Sequence, residues 1–573
     1  MDRFNEIKSR DDLAEFLKVP LTKLNYVLYV KKVENCYAQF EIPKKSGGVR
    51  QISAPNTDLK EIQVKLAAAL TAHQDVIWKE NGITPTLSHA FQKDKGIITN
   101  ACIHRNKRYV LNYDLKDFFP SIHFGRIVGF FEKNKFWMLP HKVAIVIAQL
   151  ACYQSALPQG APTSPVISNL VCQVLDIRLL KLAKEYRLDF TRYADDLTFS
   201  TNDKSFLDRY AEFDEKLSAL INKTGFQLNL NKTRLQYRNS RQEVTGLIVN
   251  KKLNVDRRYY KTTRAMAYSL YTTGKYSIGD ADGTLNQLEG RFSFIDQLDR
   301  YNNRNDGQTH NCHKLCGHEQ QYQAFLFYKN FFANTTPTVI TEGNTDILYL
   351  KAALIKYCKK YPSLVSKNED GKYTFHFSFF NKTRHWSYFY GLSSDGGDAM
   401  KVLYYCYTKG HNYPDYWTYF TKLNPGATHF PIICLLDNEA AKAKDKNAPK
   451  KPLHSLLNTI GANEVFKTTL QNDLYIPLVE KSNLFLLINP LVDGKKECEI
   501  EDLFTEETLK HKIDGKEFRR DVDCKNTNFY GKAVFAQYII GNWENIDFSR
   551  FVPLLDALNH IVTTYNDNSI SDT

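Results

Sequence analysis

The stretch FTRYADDLTFS, residues 190–200, decides the fold of the first half of the chain. Its pattern predicts a strand, a tight turn and a second strand, with Asp195 and Asp196 at the tip. A matching strand, YVLNYDLKDFF at residues 109–119, carries Asp114. Adjacent carboxylates on a tight turn repel each other, and a bound cation relieves the repulsion. An isolated Asp-Asp pair is commonly a solvated turn, but the hydrophobic strands and the third aspartate favour a metal site.

Three carboxylates brought together in this way suit nucleotidyl transfer. Two divalent ions roughly 4 Å apart activate an attacking hydroxyl and stabilise the departing pyrophosphate, and Mg²⁺ takes oxygen ligands. We therefore predict Asp114, Asp195 and Asp196 as the catalytic residues and as ligands of Mg²⁺, or of Mn²⁺ in its place. Two further segments surround them in the sequence: an extended hairpin at residues 40–55 and a Pro/Gly loop at 158–165 that runs into a long amphipathic helix.

YADD, NYDLKDFFPSI and LPQGAPTSP together resemble the palm of a reverse transcriptase. The resemblance runs in order over about residues 20–300. It implies an α+β right-hand polymerase in region 1–310, with fingers and palm to about residue 250 and a thumb at about 251–305. The activity implied is RNA-directed DNA synthesis from deoxynucleoside triphosphates.

The resemblance also assigns nucleotide-binding residues. Phe119 is the aromatic gate that excludes a nucleotide 2′-OH, because a ring under the sugar leaves no room for that oxygen. The alternative is a core aromatic, a role that Phe118 fills equally well by strand alternation. Gln159 and Gly160 form the loop against the templating base and the incoming nucleotide.

Basic residues complete the expected polymerase site. Arg50, with Lys44 and Lys45, is a candidate for gripping the triphosphate, although the two lysines are equally explained as solvated side chains. Lys232 matches a lysine that protonates the leaving pyrophosphate, and its alternative is an ordinary surface lysine.

Among reverse transcriptases, the chain resembles the retron type. NACIH (residues 100–104) fits an NAxxH signature, and VTGLIVN (244–250) fits a VTG signature. The basic and aromatic segment at residues 250–264 suits structured RNA, or is an ordinary amphipathic thumb helix. The candidate RNA-binding residues are Asn100, His104, Val244, Thr245, Gly246, Arg257 and Arg258.

The retron resemblance implies specific partners. Such an enzyme binds its own folded non-coding RNA and primes from the 2′-OH of a guanosine in it. The product is a branched RNA–DNA hybrid, multicopy single-stranded DNA, and the template is trimmed by the host RNase H. Family members act with an effector module in anti-phage defence.

Charge and composition agree with a nucleic-acid partner. Lys and Arg exceed Asp and Glu by 13 over residues 1–310 and by none over 311–573. A domain-sized positive balance favours a polyanion, although it also promotes solubility. The charged N-terminus, the scattered cysteines and the lack of a long apolar run predict a cytoplasmic protein with no membrane partner.

The second half begins after a polar segment that we predict as a linker, 311–335. This segment contains Cys312, His313, Cys316 and His318, which are too tightly spaced for a usual zinc finger and favour an ordinary loop. Beyond it, VITEGNTD (339–346) and ICLLDNE (433–439) each place acids directly after a buried strand.

These two motifs resemble a TOPRIM domain, an α/β metal-binding fold, over residues 336–573. The resemblance makes Glu342, Asp437 and Glu439 metal ligands, with Asp346 nearby; helix N-capping is the alternative for Asp346 and Asp437. Further candidates for a nuclease site are Glu501, Asp502 and Lys532, although Glu501 also fits a helix cap. We therefore expect a metal-dependent nuclease effector or, alternatively, a non-catalytic module that binds the RNA–DNA product.

Overall fold

The computed structural model describes residues 4–43, 47–391, 398–440, 451–521 and 528–571. The chain divides into two compact units, Met1–Arg257 and Arg258–Thr573. No helix in the described ranges has both the length and the apolar character needed to cross a bilayer.

The first unit is built on a four-stranded antiparallel sheet. In spatial order its strands are Asp189–Tyr193, Asp196–Thr201, Tyr109–Asp114 and Arg234–Tyr237. The register pairs Asp114 directly with Asp196, so the strand and the hairpin predicted from the sequence lie side by side as expected. Leu111, Leu197 and Phe199 are buried in the core of this sheet, and burying such side chains stabilises it by about 1.5–3 kcal/mol each.

Helices pack around this sheet. The longest are Thr57–Glu80 and Ser164–Glu185; the second starts with Pro165 in its first turn, where a missing N–H costs nothing. Its buried residues Ile167, Val171 and Leu175 recur at helical spacing and form the stripe that faces the core. The other α-helices of this unit are Arg10–Phe16, Leu21–Asn25, Ile97–Ile103, Phe124–Lys133, His141–Ala151 and Tyr210–Lys223.

The predicted extended hairpin is present. Tyr37–Pro43 pairs antiparallel with Val49–Pro55. Gly47 and Gly48 hold φ values of +88° and +77° in the connection, a conformation that glycine adopts without a steric cost. Lys44 and Lys45 lie outside the described residues.

Small elements complete the first unit. The strands Glu243–Val244 and Leu247–Ile248 form a two-stranded hairpin. Short 3₁₀ and π-helical turns span Phe4–Glu6, Tyr26–Val30, Val33–Cys36, Lys204–Arg209 and Leu230–Lys232.

The second unit contains a five-stranded sheet. Its spatial order is Ser378–Phe379, Thr338–Ile340, Ile432–Leu436, Leu484–Ile488 and Tyr475–Pro477. The first four strands are parallel to their neighbours, and the last is an antiparallel edge. The predicted pattern of strand, acid and helix is confirmed for Thr338–Ile340, which is followed by helix Asn344–Lys356. The helix expected directly after Asp437 falls largely on 441–450, outside the described residues, and the next described helix is Pro452–Thr459.

The remaining elements of this unit surround the sheet. The other α-helices are Arg257–Thr273, which begins at the last residue of the first unit, then Leu285–Asn305, Gly317–Phe327, Arg384–Tyr390, Asp398–Thr408, Tyr416–Leu423, Glu464–Asp473, Glu506–Leu509, Lys532–Gly541 and Val552–Ser571. Short strands span Ser277–Ile278, Ala281–Asp282, Val365–Lys367, Tyr373–Phe375, Glu517–Phe518 and Phe529–Tyr530. Single turns of 3₁₀ or π-helix span Tyr328–Phe332, Ile500–Leu503, Trp543–Asn545 and Ser549–Phe551.

The prediction of a linker at 311–335 is wrong for most of its length. Helix Gly317–Phe327 and the π-helical turn Tyr328–Phe332 occupy it. Phe325 and Phe327 are fully buried, so this segment is part of the core of the second unit. Its polar composition before residue 317 hid the aromatic run that follows.

The helices predicted as the thumb also pack in the second unit. Phe292, on helix Leu285–Asn305, stacks on Tyr322 and Phe325 at ring-centroid distances of 5.5 and 5.2 Å. Tyr271, on helix Arg257–Thr273, lies 4.8 Å from the ring of Phe420. The boundary between compact units therefore falls at residues 257/258 and not near residue 310.

The four Cys and His residues near the start of this segment contact different neighbours. His318 Nδ1 lies 2.9 Å from Asp299 Oδ2, and the Tyr413 hydroxyl lies 3.9 Å from Cys312 Sγ. In the described ranges these four residues form no common metal group, and His318 lies within helix Gly317–Phe327.

Candidate active sites

The first candidate site lies at one end of the first sheet. Asp114 is the last residue of its strand, and its side chain is almost completely buried. Its Oδ1 accepts a hydrogen bond from Asn229 Nδ2 at 3.0 Å, and its Oδ2 accepts one from Lys232 Nζ at 2.8 Å. The N–H of Asn229 also donates to the Asp114 carbonyl at 2.8 Å. The short turn after Phe226 thus brings Lys232 to the carboxylate.

Asp195 and Asp196 sit on the turn beside it. The N–H of Leu115 donates to the Asp195 carbonyl at 2.9 Å, which ties the turn to the strand carrying Asp114. Reduced contact with water and the nearby Asp114 raise the pKa of Asp195. Asp196 lies at the exposed start of its strand. Partial desolvation of its carboxyl, with the charges of Asp195 and Asp114, raises its pKa to about 7. The turn therefore concentrates negative charge that a bound cation would neutralise.

A polar cleft extends from these carboxylates toward the VTG segment. Asp114, Asp196, Lys232, Thr245 and Gly246 are among the residues that line it. The other lining residues are Asn112, Tyr113, Thr198, Arg234, Gln236 and Glu243. Hydrogen-bonding side chains of both charges thus border the open space next to the three aspartates.

The loop predicted to meet the nucleotide docks on the fingers hairpin. The Ser53 N–H donates to the Gln159 carbonyl at 2.8 Å. Gly160 has φ +121°, and a Cβ there would lie 2.7 Å from the Ser53 carbonyl oxygen. Glycine is therefore required at this close approach of two backbones.

The remaining predicted nucleotide contacts are accessible. Phe119 is half-buried, with its ring 6.5 Å from that of Phe91. Phe118 is buried and stacks on Phe226 at 5.9 Å, so the core role belongs to Phe118. Arg50 is exposed on its strand.

The NAxxH residues do not form a surface for RNA, and this corrects the prediction. His104 is fully buried, and its two ring nitrogens lie 2.7 Å from the hydroxyls of Ser200 and Thr191. Burial lowers its pKa to about 3, so its ring is uncharged at neutral pH. Its hydrogen bonds connect the end of helix Ile97–Ile103 to the sheet. Asn100 is also fully buried.

The other predicted RNA contacts divide by exposure. Val244 is buried and is structural. Thr245 and Gly246 line the cleft. Arg257 and Arg258 are exposed at the start of their helix.

A second cluster of acids lies at the ends of two neighbouring parallel strands in the second unit. Glu342 follows Thr338–Ile340, and Asp437 follows Ile432–Leu436. Burial and the charge of Asp346 raise the pKa of Glu342 to about 7, and the nearby N–H of Asp437 moderates the shift. Its Oε2 is buried and accepts no hydrogen bond from any described residue. Such an uncompensated oxygen is the strongest mark of a cation site here.

Asp437 is held by neighbours that sequence reasoning missed. Its Oδ1 accepts hydrogen bonds from Asn489 Nδ2 at 2.7 Å and from the Ile500 N–H at 2.9 Å. Burial, with the charges of Glu342 and other acids, still raises its pKa well above the ordinary value. Asn489 directly follows strand Leu484–Ile488, so a polar residue after the next strand was the available signal.

Asp346 and Glu439 lie at the edges of this cluster. Asp346 Oδ2 accepts the Gly343 N–H at 2.8 Å, as the capping alternative predicts, and burial raises its pKa. Burial also raises the pKa of Glu439, while the charge of Lys451 opposes the shift. Both residues therefore add negative charge beside Glu342 and Asp437.

Lys532, the first residue of helix Lys532–Gly541, pairs with two acids near this cluster. Lys532 Nζ lies 3.1 Å from Glu499 Oε2 and 3.1 Å from Glu501 Oε2. Burial alone would lower its pKa, but the two carboxylates raise it above the ordinary value. Glu499 was missed from the sequence because its neighbours in CEIEDLF are equally acidic.

Asp502 was predicted as a candidate residue of the nuclease site, but its carboxylate pairs with other residues, which corrects that prediction. Its Oδ1 accepts hydrogen bonds from Lys495 at 2.8 Å and Arg520 at 2.7 Å, and its Oδ2 accepts the Glu499 N–H. Burial alone would raise its pKa, but these bonds lower it. Its charge is already compensated, so it has no need of a metal ion.

Donor chemistry and charge decide whether these residues fit metal ions. Each cluster offers carboxylate oxygens, the ligands that Mg²⁺ prefers, with pKa values raised by desolvation and by neighbouring acids. In the part of the chain that the structure describes, no three His, Cys, Asp or Glu side chains are arranged to enclose an ion without adjustment. Both clusters fit divalent cations by composition and by charge.

Comparisons with known proteins identify the first half of the chain. Residues 42–254 match the family model "Reverse transcriptase (RNA-dependent DNA polymerase)". The chain is 32% identical to the retron Mx65 reverse transcriptase of Myxococcus xanthus, over 51% of this chain and 68% of that protein. Against the retron Mx162 enzyme of the same organism, identity is 31% over 51% of this chain and 64% of the relative.

An Escherichia coli relative is covered more fully. Identity to the retron Ec86 reverse transcriptase is 30%, over 51% of this chain and 85% of that protein. The family model and these relatives agree with the reverse transcriptase predicted from YADD and its flanking motifs. The chain belongs to the retron reverse transcriptases.

Proposed function

We propose that this chain copies part of its own structured non-coding RNA into DNA, starting from the 2′-OH of a guanosine in that RNA. The product is branched multicopy single-stranded DNA, and the host RNase H removes template RNA in the cytoplasm. The observation that carries the proposal is the pairing of Asp114 with Asp196 beside Asp195, in a chain of the retron family.

In this proposal Asp114, Asp195 and Asp196 hold the catalytic Mg²⁺, which Mn²⁺ can replace. When bound, the ions activate the attacking hydroxyl and stabilise the pyrophosphate. Lys232 keeps a proton on Nζ, because its hydrogen bond to Asp114 raises its pKa. It thus offers positive charge and a proton next to the leaving group.

Other residues position the substrates. Phe119 lies under the sugar of the incoming deoxynucleotide, Arg50 binds its triphosphate, and Gln159 sets the base pair. Docking of the Gln159 carbonyl on Ser53 supports this placement, because it ties the loop to the fingers. For the RNA, the exposed Arg257 and Arg258 neutralise phosphates, while Thr245 and Gly246 contact the strand in the cleft.

For the second unit we propose a TOPRIM-like, metal-dependent nuclease that acts as the effector in anti-phage defence. The support is the position of Glu342 and Asp437 at adjacent parallel strand ends, with one Glu342 oxygen buried and uncompensated. Glu439 and Glu501 complete the acidic set. Lys532, held charged by Glu499 and Glu501, stabilises negative charge on the phosphate under attack.

A second candidate function has its own observation. Lys532 pairs with two carboxylates and so offsets part of the acidic charge without a metal ion, as expected for a module that binds the RNA–DNA product without cutting it. The two functions differ in their need for metal, so substitution of the acids separates them.

The aspartates of the palm provide the first test. Asp195→Asn and Asp196→Asn should each lower DNA synthesis by roughly 100-fold or more, because a neutral amide is a poor ligand for Mg²⁺. Binding of the cognate RNA should stay within about twofold of the unaltered protein. Primer-extension rates and filter binding measure the two effects, with the exposed Asp208→Asn as the matched control. Full synthesis in either palm variant contradicts the assignment.

The pH dependence of stability tests the second site. Because folding raises the pKa of Glu342 from 4.5 to about 7, its ionisation costs stability as the pH rises through that window. In EDTA, Glu342→Gln should raise the unfolding temperature at pH 8 by about 1–2 °C, as ~1 kcal/mol does in a unit as long as Arg258–Thr573. It should have no such effect at pH 4.5, and Mg²⁺ should stabilise the unaltered protein more than the variant.

Asp502→Asn is the opposite control for that experiment. The pKa of Asp502 is lowered by Arg520 and Lys495, so its charge stabilises the fold above its ordinary pKa and this variant should lose stability at pH 8. If Glu342→Gln does not stabilise the metal-free protein at pH 8, Glu342 is not the uncompensated acid described above.

Effector activity provides the third test. Asp437→Asn should abolish growth inhibition by the activated system while DNA synthesis stays within about twofold, since Asp437 and the palm aspartates belong to different compact units. Asp493→Asn, an exposed partner of Arg550, is the control. Unchanged toxicity in the Asp437 variant favours the binding module.

A further inference from the structure

Arg192 is a fully buried arginine next to the catalytic turn. Its Nε and Nη2 donate to the two carboxylate oxygens of Asp176 at 2.6 and 2.8 Å. Nη2 also donates to Asn169 Oδ1 at 3.2 Å, and Nη1 donates to the Ala194 carbonyl at 3.2 Å. One guanidinium thus joins helix Ser164–Glu185 to the residue just before Asp195.

The backbone of Arg192 is equally fixed. Its N–H donates to the Leu87 carbonyl, and its own carbonyl accepts the His89 N–H, both at 2.8 Å. Between them, Ser88 Oγ donates to the same Asn169 oxygen that accepts from Arg192. The guanidinium therefore has little freedom to move relative to the helix and the strand.

Fold stability does not account for this arrangement. A buried ion pair seldom stabilises a fold more than apolar side chains of similar size would. The bond to the Ala194 carbonyl has a more specific consequence. Ala194 has φ +55°, a left-handed conformation that alanine rarely adopts, and it directly precedes the two aspartates.

We propose that Arg192 is a positioning residue for DNA synthesis, which holds Ala194 in the left-handed conformation and thereby sets where Asp195 and Asp196 point. Asp176 and Asn169 anchor the guanidinium from the helix. The hydrogen bonds of its guanidinium go to Asp176, Asn169 and Ala194, so the bond to the Ala194 carbonyl is the one by which it acts on the turn. This inference rests on the proposed role of Asp195 and Asp196.

Arg192→Lys is the direct test. Lysine keeps a charge for Asp176, but its single nitrogen cannot also reproduce the planar set of donors that reaches Ala194. In the full-length protein we expect kcat for DNA synthesis to fall by roughly 10-fold or more, as for loss of an outer-shell contact. The KM for deoxynucleotides should stay within about twofold, and the Mg²⁺ concentration for half-maximal synthesis should rise several-fold.

Ala194→Gly added to Arg192→Lys separates positioning from general stability. Glycine adopts a positive φ without the steric penalty of alanine, so the double variant should recover about fivefold in kcat over Arg192→Lys. A general loss of stability would not be relieved by glycine, whose added freedom in the unfolded chain lowers stability. No recovery, with an unchanged Mg²⁺ requirement, overturns the proposal.

Asp176→Glu is the second variant should Arg192→Lys fail to fold. It keeps both charges but moves the guanidinium by about one methylene, so kcat should fall with an increased Mg²⁺ requirement. Wild-type kcat and Mg²⁺ requirement in this variant overturn the proposal. Asp195→Asn, measured alongside, tells the two failures apart. If that variant is inactive while Arg192→Lys is fully active, the positioning role fails and the metal assignment stands; if it is active, the metal assignment itself fails.

Discussion

Carboxylates that are brought close together lose part of their hydration and repel one another, and this combination is the constraint on which both candidate sites depend. In the first unit it raises the pKa of Asp196 to about 7. In the second it raises the pKa of Glu342 to about 7 and the pKa of Asp437 well above its ordinary value. Lysines offset part of this charge, among them Lys232 in the first cluster and Lys532 in the second. The remaining negative charge is what a divalent cation would neutralise.

Two different topologies produce the same concentration of charge. In the first unit an antiparallel hairpin places Asp196 opposite Asp114, at the point where the strands pair. In the second, parallel strands end side by side, so that Glu342 and Asp437 meet at one edge of the sheet, as ligands commonly do in open α/β sheets. Each group of acids adjoins apolar strands. Carboxylate charge is unfavourable next to apolar surface, and a bound cation lowers that cost.

The sequence was sufficient where the signal was local. YADD between hydrophobic strands predicted the hairpin, and the acids after two buried strands predicted the edge of the second sheet. It was insufficient where tertiary packing chose between similar residues. Glu499 and Asp502 are three positions apart, yet the turn at Ile500–Leu503 directs one to Lys532, while Lys495 and Arg520 neutralise the other.

The sequence motifs also could not predict which of their side chains are exposed to solvent. His104 belongs to a signature that suggested RNA contact, but its partners are hydroxyls inside the protein. The sequence did not predict a role for Arg192, because its partner Asp176 lies on a different element, helix Ser164–Glu185. The pair is apparent only in the folded structure. The division at residues 257/258 likewise depends on ring stacking between Phe292 and Tyr322, which no local pattern encodes.

The most direct measurement expresses the protein together with its neighbouring genomic DNA and characterises the nucleic acid that copurifies with it. The account predicts a discrete species that contains short single-stranded DNA, is sensitive to RNase and to debranching enzyme, and disappears with Asp195→Asn. Heterogeneous RNA alone, or a DNA product with a linear rather than a branched junction, would contradict the proposal that the chain primes from a 2′-OH of its own RNA.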